Sequence, residues 1–217
     1  GTIHEVANGF FDDELRPLRD RAVLGVVPFG TGGDFRRTAG IPNDVTSAAR
    51  LIATGVPRRI DLGLVEYAEG RGGPPIRRLF VNIASFGLSG QVDRIVNESS
   101  KALGGTLSFL LGTMRAVLSF QNQRVRLTFD DNPEDTLEAT IKNVAVANGR
   151  TFGGGMRIAP QADLADGQLD VVVVGDLSRL DFLCQGYRVY RGSHLSLPQV
   201  SARRATRLVA APVDPED

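Results

Sequence analysis

The sequence predicts an α/β portion followed by a β-rich portion with inserted helices. An apolar run at residues 22–27 leads into a glycine loop and then into segments with helical spacing, which is the order of an α/β unit. Beyond Gly55 the pattern changes to short apolar stretches separated by turn residues, which are typical of strands. We therefore expect two domains, residues 1–55 and 56–217, with the boundary inferred from this change alone.

The first part is expected to contain one strand and three helices. Apolar spacing favours helices at residues 3–8, 35–39 and 45–53, and the run at residues 22–27 has the composition of a buried strand. The glycine loop follows this strand directly, so it is expected to lie at the start of the next helix.

The second part is expected to open with a β-hairpin around the turn-rich residues 70–75. Helices at residues 88–96 and 103–120 should follow, the second with a core-facing side. That side comprises Leu103, Leu107, Leu110, Leu111, Met114 and Leu118. Strands are expected at residues 125–129, 137–147, 169–174 and about 200–209, with an amphipathic stretch at residues 180–190.

Composition excludes several classes of protein. With 42% hydrophobic residues among 217, the chain can bury a sizeable core. Basic and acidic residues both number 25, so no nucleic-acid partner is expected. The single cysteine, Cys184, excludes an intramolecular disulfide and favours a reducing compartment. No apolar run reaches the ~20 residues that span a bilayer, so we expect a soluble chain, and the lack of an initiator Met indicates a missing N-terminus.

The strongest local signal is the loop Gly30-Thr31-Gly32-Gly33-Asp34. Consecutive glycines let backbone N–H groups approach an anion at a helix N-terminus, which makes phosphate the natural ligand. The helix end contributes only about 0.3–1 kcal/mol of anion preference, so tight nucleotide binding would also need a metal ion, which Asp34 could orient. Gly1-Thr2 precedes a helix in the same way and would complete a phosphate clamp. The alternative is a tight turn in which Asp34 only caps the helix.

A second candidate site is the acidic turn at residues 163–168, where Asp166 precedes Gly167. A carboxylate beside a glycine turn can bind a hard cation together with neighbouring backbone carbonyls. An ordinary surface turn is the alternative. Other chemistry is unsupported, because His4-Glu5 lacks the second histidine of a zinc helix and no Gly-x-Ser-x-Gly motif occurs.

Several segments together resemble the diacylglycerol kinase catalytic-domain family, which includes soluble bacterial lipid kinases. Gly1-Thr2 and the helix after it look like the tail of the motif Gly-Gly-Asp-Gly-Thr. Residues 28–35 resemble Pro-x-Gly-Thr-x-Asn-Asp-Phe, with Gly33 where the family usually has Asn. Further matches lie at residues 80–87, 144–149, 153–160 and 162–170. Their order and spacing across most of the chain make the resemblance specific.

The resemblance implies a partial Rossmann-like nucleotide-binding domain, of which residues 1–55 would be the C-terminal portion, followed by a β-sandwich-type domain of the NAD kinase and diacylglycerol kinase kind. It places ATP at Gly1, Thr2, Gly30, Thr31, Gly32, Gly33 and Asp34. It also places a structural Mg²⁺ on the Asp166 side chain and the carbonyls of Asp163 and Gln168.

The family's catalytic carboxylate belongs to an Asp-Gly-Glu motif after the last strands, and this residue is not identified here. Asp214 and Glu216 have the right offset, but Pro215 replaces Gly and they follow the preceding strand closely. We expect a solvated acidic loop here and the motif beyond the chain's end. The second domain is then incomplete and the chain alone inactive.

The resemblance implies an ATP- and Mg²⁺-dependent kinase that phosphorylates a neutral lipid, most simply diacylglycerol. A sphingoid base or another lipid alcohol is an alternative acceptor, and a non-catalytic lipid- or nucleotide-binding module is an alternative of another class. A lipid substrate implies a cytoplasmic protein in transient contact with a membrane surface. The oligomeric state, including a homodimer, stays open.

Overall fold

The computed structural model describes residues 2–19, 21–30, 32–70, 72–98 and 105–213. By its internal contacts the chain forms two compact units. The first comprises Gly1–Ala84 and Ala147–Leu169, and the second comprises Ser85–Val146 and Asp170–Asp217. These units are defined by contacts and not by sequence order, so the domain boundary expected near residue 55 stays a prediction.

The first unit contains three helices and a hairpin. They are α1 (Thr2–Asn8), α2 (Asp34–Ala39), α3 (Val45–Thr54), β1 (Gly63–Ala68) and β2 (Pro75–Phe80). Helix α3 begins where the Asp44 carboxylate accepts a hydrogen bond from the Ser47 N–H at 2.7 Å. Helix α2 ends at Gly40, whose φ of 71° suits glycine. The predicted helices and hairpin are confirmed.

The hairpin and α1 are joined by one asparagine. Strands β1 and β2 pair antiparallel from Gly63↔Phe80 to Ala68↔Pro75. The Asn8 side chain donates to the Leu79 carbonyl at 2.8 Å and accepts from the Leu79 N–H at 2.9 Å. Helix α1 is therefore fixed to the end of β2 by two hydrogen bonds.

The strand predicted at residues 22–27 is wrong. These residues adopt no regular secondary structure, and Val23, Leu24 and Val27 are exposed. A strand forms only when its backbone groups pair with a neighbour. No described segment pairs with this one, so the apolar composition alone does not produce a strand.

The second unit is built on a six-stranded sheet with helices around it. Its strands are β3 (Ile83–Gly87), β4 (Gln123–Phe129), β5 (Thr136–Ala147), β6 (Leu169–Gly175), β7 (Val200–Ala205) and β8 (Leu208–Pro212). The order is β7-β6-β5-β4-β8, and β3 also pairs with β5. Strand β4 is antiparallel to both β5 and β8. The core on this sheet includes the fully buried Leu127, Ile141 and Val144.

The helices of this unit are α4 (Leu88–Glu98), α5 (Gly105–Ser119), α6 (Arg179–Gln185) and α7 (Tyr187–Arg191), with a 3-10 helix at Ser193–Ser196. The predicted core face of α5 is wrong where it can be checked. Met114 and Leu118 are exposed, whereas Ala116 and Val117 are buried in a cluster with residues of α4. A small residue such as Ala116 allows close approach of the neighbouring helix, which the leucine spacing did not reveal. Leu103 lies outside the described residues.

The last predicted strand is two strands with a turn between them. The Asp130 carboxylate accepts hydrogen bonds from the N–H groups of Thr206 and Arg207 at 2.7 and 3.0 Å. This contact fixes the turn between β7 and β8. No helix in the described ranges combines the length and apolar character needed to cross a membrane.

Candidate functional site

Asp34 is the centre of the candidate site, and it lies entirely within the first unit. It is the first residue of α2, directly after the glycine loop. Its Oδ2 accepts a hydrogen bond from the Gly154 N–H at 2.8 Å, and its Oδ1 accepts one from the Arg37 guanidinium at 2.9 Å. A carboxylate has about four acceptor positions, so these two bonds orient Asp34 and leave positions for a cation or a ligand donor.

The backbone of α2 is attached to the same distant loop. The Thr151 hydroxyl donates to the Asp34 carbonyl at 3.0 Å, and the Arg150 N–H donates to the Thr38 hydroxyl at 2.9 Å. With the Gly154 contact, three hydrogen bonds therefore hold residues 150–154 along α2. The position of the Asp34 carboxylate depends on this loop.

The loop has this shape because it contains three consecutive glycines. Gly153, Gly154 and Gly155 have φ values of 57°, 84° and 112°. Residues with a Cβ rarely adopt such values. The Gly154 N–H can therefore point at the Asp34 carboxylate only because the chain is free of Cβ constraints here. Sequence reasoning matched this stretch to the family but did not place Gly154 and Thr151 beside Asp34.

Two asparagines fix the start of the same loop. Asn148 is fully buried, and its Nδ2 donates to the carbonyls of Asp61 and Val81 at 2.8 and 2.9 Å. The Asn82 Nδ2 donates to the Thr151 carbonyl at 2.8 Å. Position 149 favours glycine, because a Cβ there would lie 2.1 Å from the Asn82 Oδ1.

The loop at residues 30–34, which is predicted to bind phosphate, is described except for Thr31. Gly30 and Gly32 are open, with no atom within 4 Å of a Cβ placed on either residue. Gly33 precedes α2 without a side-chain cap. Thr2 is the first residue of α1 and is exposed. Gly1 and Thr31 lie outside the described residues, so the two-loop clamp stays a prediction.

The side chain of Arg36 occupies the space next to Gly33. A Cβ on residue 33 would lie 2.9 Å from the Arg36 Nε and 3.5 Å from its Nη2. The half-buried guanidinium therefore lies where a larger residue at position 33 would place its side chain. Sequence reasoning noted Gly33 but did not identify Arg36, because nothing in the local pattern links the two.

The predicted metal loop is an ordered turn to which Asp61 is attached. The Asp163 and Asp166 carboxylates accept from the N–H groups of Ala165 and Gln168 at 3.0 and 3.1 Å. The Gly167 N–H donates to the Asp61 Oδ2 at 2.8 Å. Asp61 is a further acidic residue at this turn, and sequence reasoning missed it.

The donors at this turn fit a hard cation, because carboxylate and carbonyl oxygens are the ligands that Mg²⁺ takes. In the described part of the chain, no three His, Cys, Asp or Glu side chains are grouped as a metal site. The predicted ligand set contains one side chain and two carbonyls, which is a different arrangement. The Mg²⁺ site on Asp163, Asp166 and Gln168 therefore stays a prediction.

Asp214 and Glu216, the acidic pair near the end of the sequence, lie outside the described residues. No catalytic base is identified among the residues that the structure describes.

Comparison with known proteins gives consistent family matches. The diacylglycerol kinase catalytic domain matches residues 1–65, and the YegS C-terminal NAD kinase beta sandwich-like domain matches residues 82–214. The chain is 30% identical over 209 residues to the diacylglycerol kinase of Bacillus subtilis, covering 96% of this chain and 63% of that protein. It is 29% identical over 186 residues to the diacylglycerol kinase of Mycobacterium tuberculosis, covering 84% and 57%.

A further relative is the "probable lipid kinase YegS-like" protein of Xanthomonas oryzae pv. oryzae, 31% identical over 206 residues, covering 94% of this chain and 62% of that protein. The chain thus spans about three fifths of these relatives' length. A crystal structure of a diacylglycerol kinase from Bacillus anthracis has the same fold, with a TM-score of 0.61 and 24% identity, covering 99% of this chain and 64% of that one.

These matches confirm the predicted fold class, an α/β portion with a β-sandwich-type domain of the NAD kinase kind. The β-sandwich-like match alone covers more than half of the chain. The chain belongs to the diacylglycerol kinase catalytic-domain family, whose named relatives include diacylglycerol kinases and YegS-like lipid kinases.

Proposed function

We propose that the protein containing this chain is an ATP- and Mg²⁺-dependent lipid kinase that transfers the γ-phosphoryl group to the hydroxyl of diacylglycerol. Membership of the family supports a lipid kinase. The observation that carries the proposal is the Asp34 carboxylate, which is oriented from two sides at the end of an open glycine loop. Phosphoryl transfer depends mainly on positioning and on charge neutralisation, and a fixed carboxylate at a phosphate loop serves both.

In this proposal the open glycines and the two arginines of α2 have separate tasks. Gly30, Gly32 and Gly33 let the nucleotide phosphates approach the backbone. The Arg36 guanidinium beside Gly33 supplies charged donors where the family usually has an Asn side chain. Arg37 pairs with Asp34 and helps to keep its carboxylate in place. Mg²⁺, when bound, would neutralise phosphate charge.

The acidic turn has a structural task in the same proposal. Asp166, with the carbonyls of Asp163 and Gln168, would hold a second Mg²⁺, and the Asp61 contact would fix the turn. The nucleophile-activating carboxylate stays unassigned, with Asp214 and Glu216 as candidates. We further propose a cytoplasmic protein that contacts the membrane surface peripherally and transiently.

The test is phosphorylation of a lipid panel by the complete protein that contains this chain. With labelled ATP and Mg²⁺, the panel contains diacylglycerol, sphingosine, ceramide and NAD. Diacylglycerol turnover is expected. If only sphingosine or another lipid alcohol is phosphorylated, that lipid is the acceptor instead of diacylglycerol. Nucleotide binding without turnover of any acceptor would instead favour a non-catalytic binding module.

Asp34→Asn tests the role of the carboxylate without changing its shape. The Asn oxygen can still accept from Gly154, so the loss of stability should be about 1 kcal/mol, the upper end for an ion pair at the surface, because the Asp34 side chain is 15% exposed and that of Arg37 is 39% exposed. Turnover should fall at least 100-fold, about 2.7 kcal/mol of transition-state stabilisation. Asp44→Asn is the matched control, because Asp44 also accepts from backbone at a helix start but lies at α3. Equal activity of the two variants would show that Asp34 has no role in phosphoryl transfer.

Arg36→Ala tests the compensation for Gly33. The KM for ATP should rise at least about tenfold, since one charged hydrogen bond contributes about 1.5–3 kcal/mol. In the double variant Gly33→Asn with Arg36→Ala, part of this loss should be recovered. An unchanged KM in Arg36→Ala would show that this guanidinium does not contact the nucleotide.

A further inference from the structure

The segment from Arg179 to Arg191 forms an almost continuous helical run in the second unit. Helices α6 and α7 are separated only by Gly186, whose φ and ψ of −55° and −29° are themselves helical. The run therefore has the two faces of one helix. One face is half-buried and consists of Phe182, Gln185, Gly186 and Val189.

The other face is apolar as well, and it is exposed. Leu180, Leu183, Tyr187 and Tyr190 are 75%, 44%, 54% and 53% exposed. They are spaced three, four and three residues apart, so they form one stripe along the run. A helix that packs on a core needs only one apolar face, so the packing of the inner face does not account for the outward stripe.

The inner face already anchors the run. Phe182 packs against the cluster formed by α4 and α5, and the Lys142 ammonium lies 5.8 Å from the centre of its ring. The Ser178 hydroxyl caps α6 by accepting from the Asp181 N–H. The contacts of Phe182 and the cap by Ser178 therefore fix the helical run, and with it the position of the outward residues.

The exposed stripe is bordered by positive charge. Arg179 and Arg191 are exposed, whereas Arg188 is half-buried and donates to the Ser196 hydroxyl. Asp181 is the single acidic residue of the run. The Arg191 guanidinium lies 5.6 Å from the centre of the Tyr187 ring. The chain as a whole has no net charge, so this excess is local. Leucines, tyrosines and arginines on one helical face are the combination that binds at the interface of an anionic bilayer.

We propose that the outward face of residues 179–191 docks on an anionic lipid bilayer. The leucines and tyrosines enter the boundary between head groups and acyl chains, while the arginines contact head-group phosphates. The choice of a bilayer as occupant rests partly on the proposed lipid-kinase function, because a long-chain lipid acceptor is reached at a membrane surface. Charge complementarity supports the same occupant independently.

The test is co-sedimentation of the chain with vesicles that contain no kinase substrate. Phosphatidylcholine vesicles with and without about one third phosphatidylglycerol separate charge-dependent from other binding. Tighter binding to the anionic vesicles is expected, and it should weaken with added salt. Arg179→Gln with Arg191→Gln should reduce it about thirtyfold, at about 1 kcal/mol per arginine.

Apolar variants test the stripe itself. Leu180→Ser with Leu183→Ser should reduce vesicle binding at least tenfold. Leu64→Ser is the matched control, because Leu64 on β1 is 43% exposed and Leu183 is 44% exposed. Circular dichroism of each variant checks that it is folded. Equal binding by the control and the double variant, or equal binding to both vesicle types, would overturn the proposal.

Two further outcomes separate this proposal from others. If Leu180→Ser with Leu183→Ser abolishes self-association and leaves vesicle binding unchanged, the stripe is a protein interface and the proposal fails. If the wild-type chain binds anionic vesicles through this face but the complete protein phosphorylates no lipid, docking stands and the kinase proposal fails. In the complete protein, the docking variants should retain turnover of a soluble short-chain diacylglycerol.

Discussion

Asn148→Leu measures how much the candidate site depends on a single buried amide. Asn148 is fully buried, and its Nδ2 donates to the Asp61 and Val81 carbonyls. Leucine has a similar volume but no donor, so two buried carbonyls lose a partner at about 1–3 kcal/mol each. The Asn148 Oδ1 has no partner among the described residues, and its removal gives back about 1–2 kcal/mol. These ranges combine to a net loss between about 0 and 5 kcal/mol, and the expected value is near the centre, at about 2–3 kcal/mol.

Thermal unfolding followed by far-UV circular dichroism is the assay, because the chain contains no tryptophan for fluorescence. At about 2–4 °C per kcal/mol for a chain of this size, Tm should fall by about 4–12 °C. The control is Asn132→Leu, at an exposed turn where the amide oxygen makes one local bond, and its stability should change by about 0.5 kcal/mol at most. A Tm for Asn148→Leu equal to that of the control would refute the reasoning.

Two other substitutions test the backbone and the electrostatics. Gly87→Ala should destabilise the protein by about 1–3 kcal/mol, because the φ of Gly87 is 93° and a Cβ there would lie 2.7 Å from the Lys142 carbonyl oxygen. Gly90→Ala is the control, since Gly90 lies in α4 with open space around a Cβ, and it should be neutral or stabilising. Urea denaturation measures both. Hydrogen bonds from Ser47 hold the pKa of Asp44 below its usual value, so its contribution to stability is present above the unfolded pKa and is lost as pH falls below about 4. Asp44→Asn keeps the cap and should flatten this part of the pH profile of Tm, and an unchanged profile would contradict the assignment.

The elements that the sequence predicted well are those with local causes. Asp44 caps α3, Gly40 ends α2, and β1 pairs with β2 on either side of the predicted turn. Each of these signals acts within a few residues. The strand predicted at residues 22–27 failed because a strand needs a partner from elsewhere in the chain, and an apolar run does not state where its partner lies.

The same distinction explains the exposed leucines and the divided last strand. Which side of α5 faces the core depends on where α4 lies, and Ala116 faces it more closely than Leu118 does. The turn between β7 and β8 is fixed by Asp130, which is 76 residues away from Thr206 in sequence. The spacing of apolar residues predicts neither the core-facing side of α5 nor the turn between β7 and β8.

In the candidate site, the sequence indicated the acidic residue but not the groups that donate hydrogen bonds to it. Asp34 was recognised within its motif, yet the group that orients it, the Gly154 N–H, lies 120 residues away. The three glycines at residues 153–155 were matched to the family pattern, and that match did not indicate which residue they contact. Gly33 is the opposite case, because comparison with the motif indicated only that the side chain of the usual Asn is missing. With Arg36 beside Gly33, this chain has a cation where the motif has a neutral amide, and the proposed contact between Arg36 and the nucleotide depends on that difference.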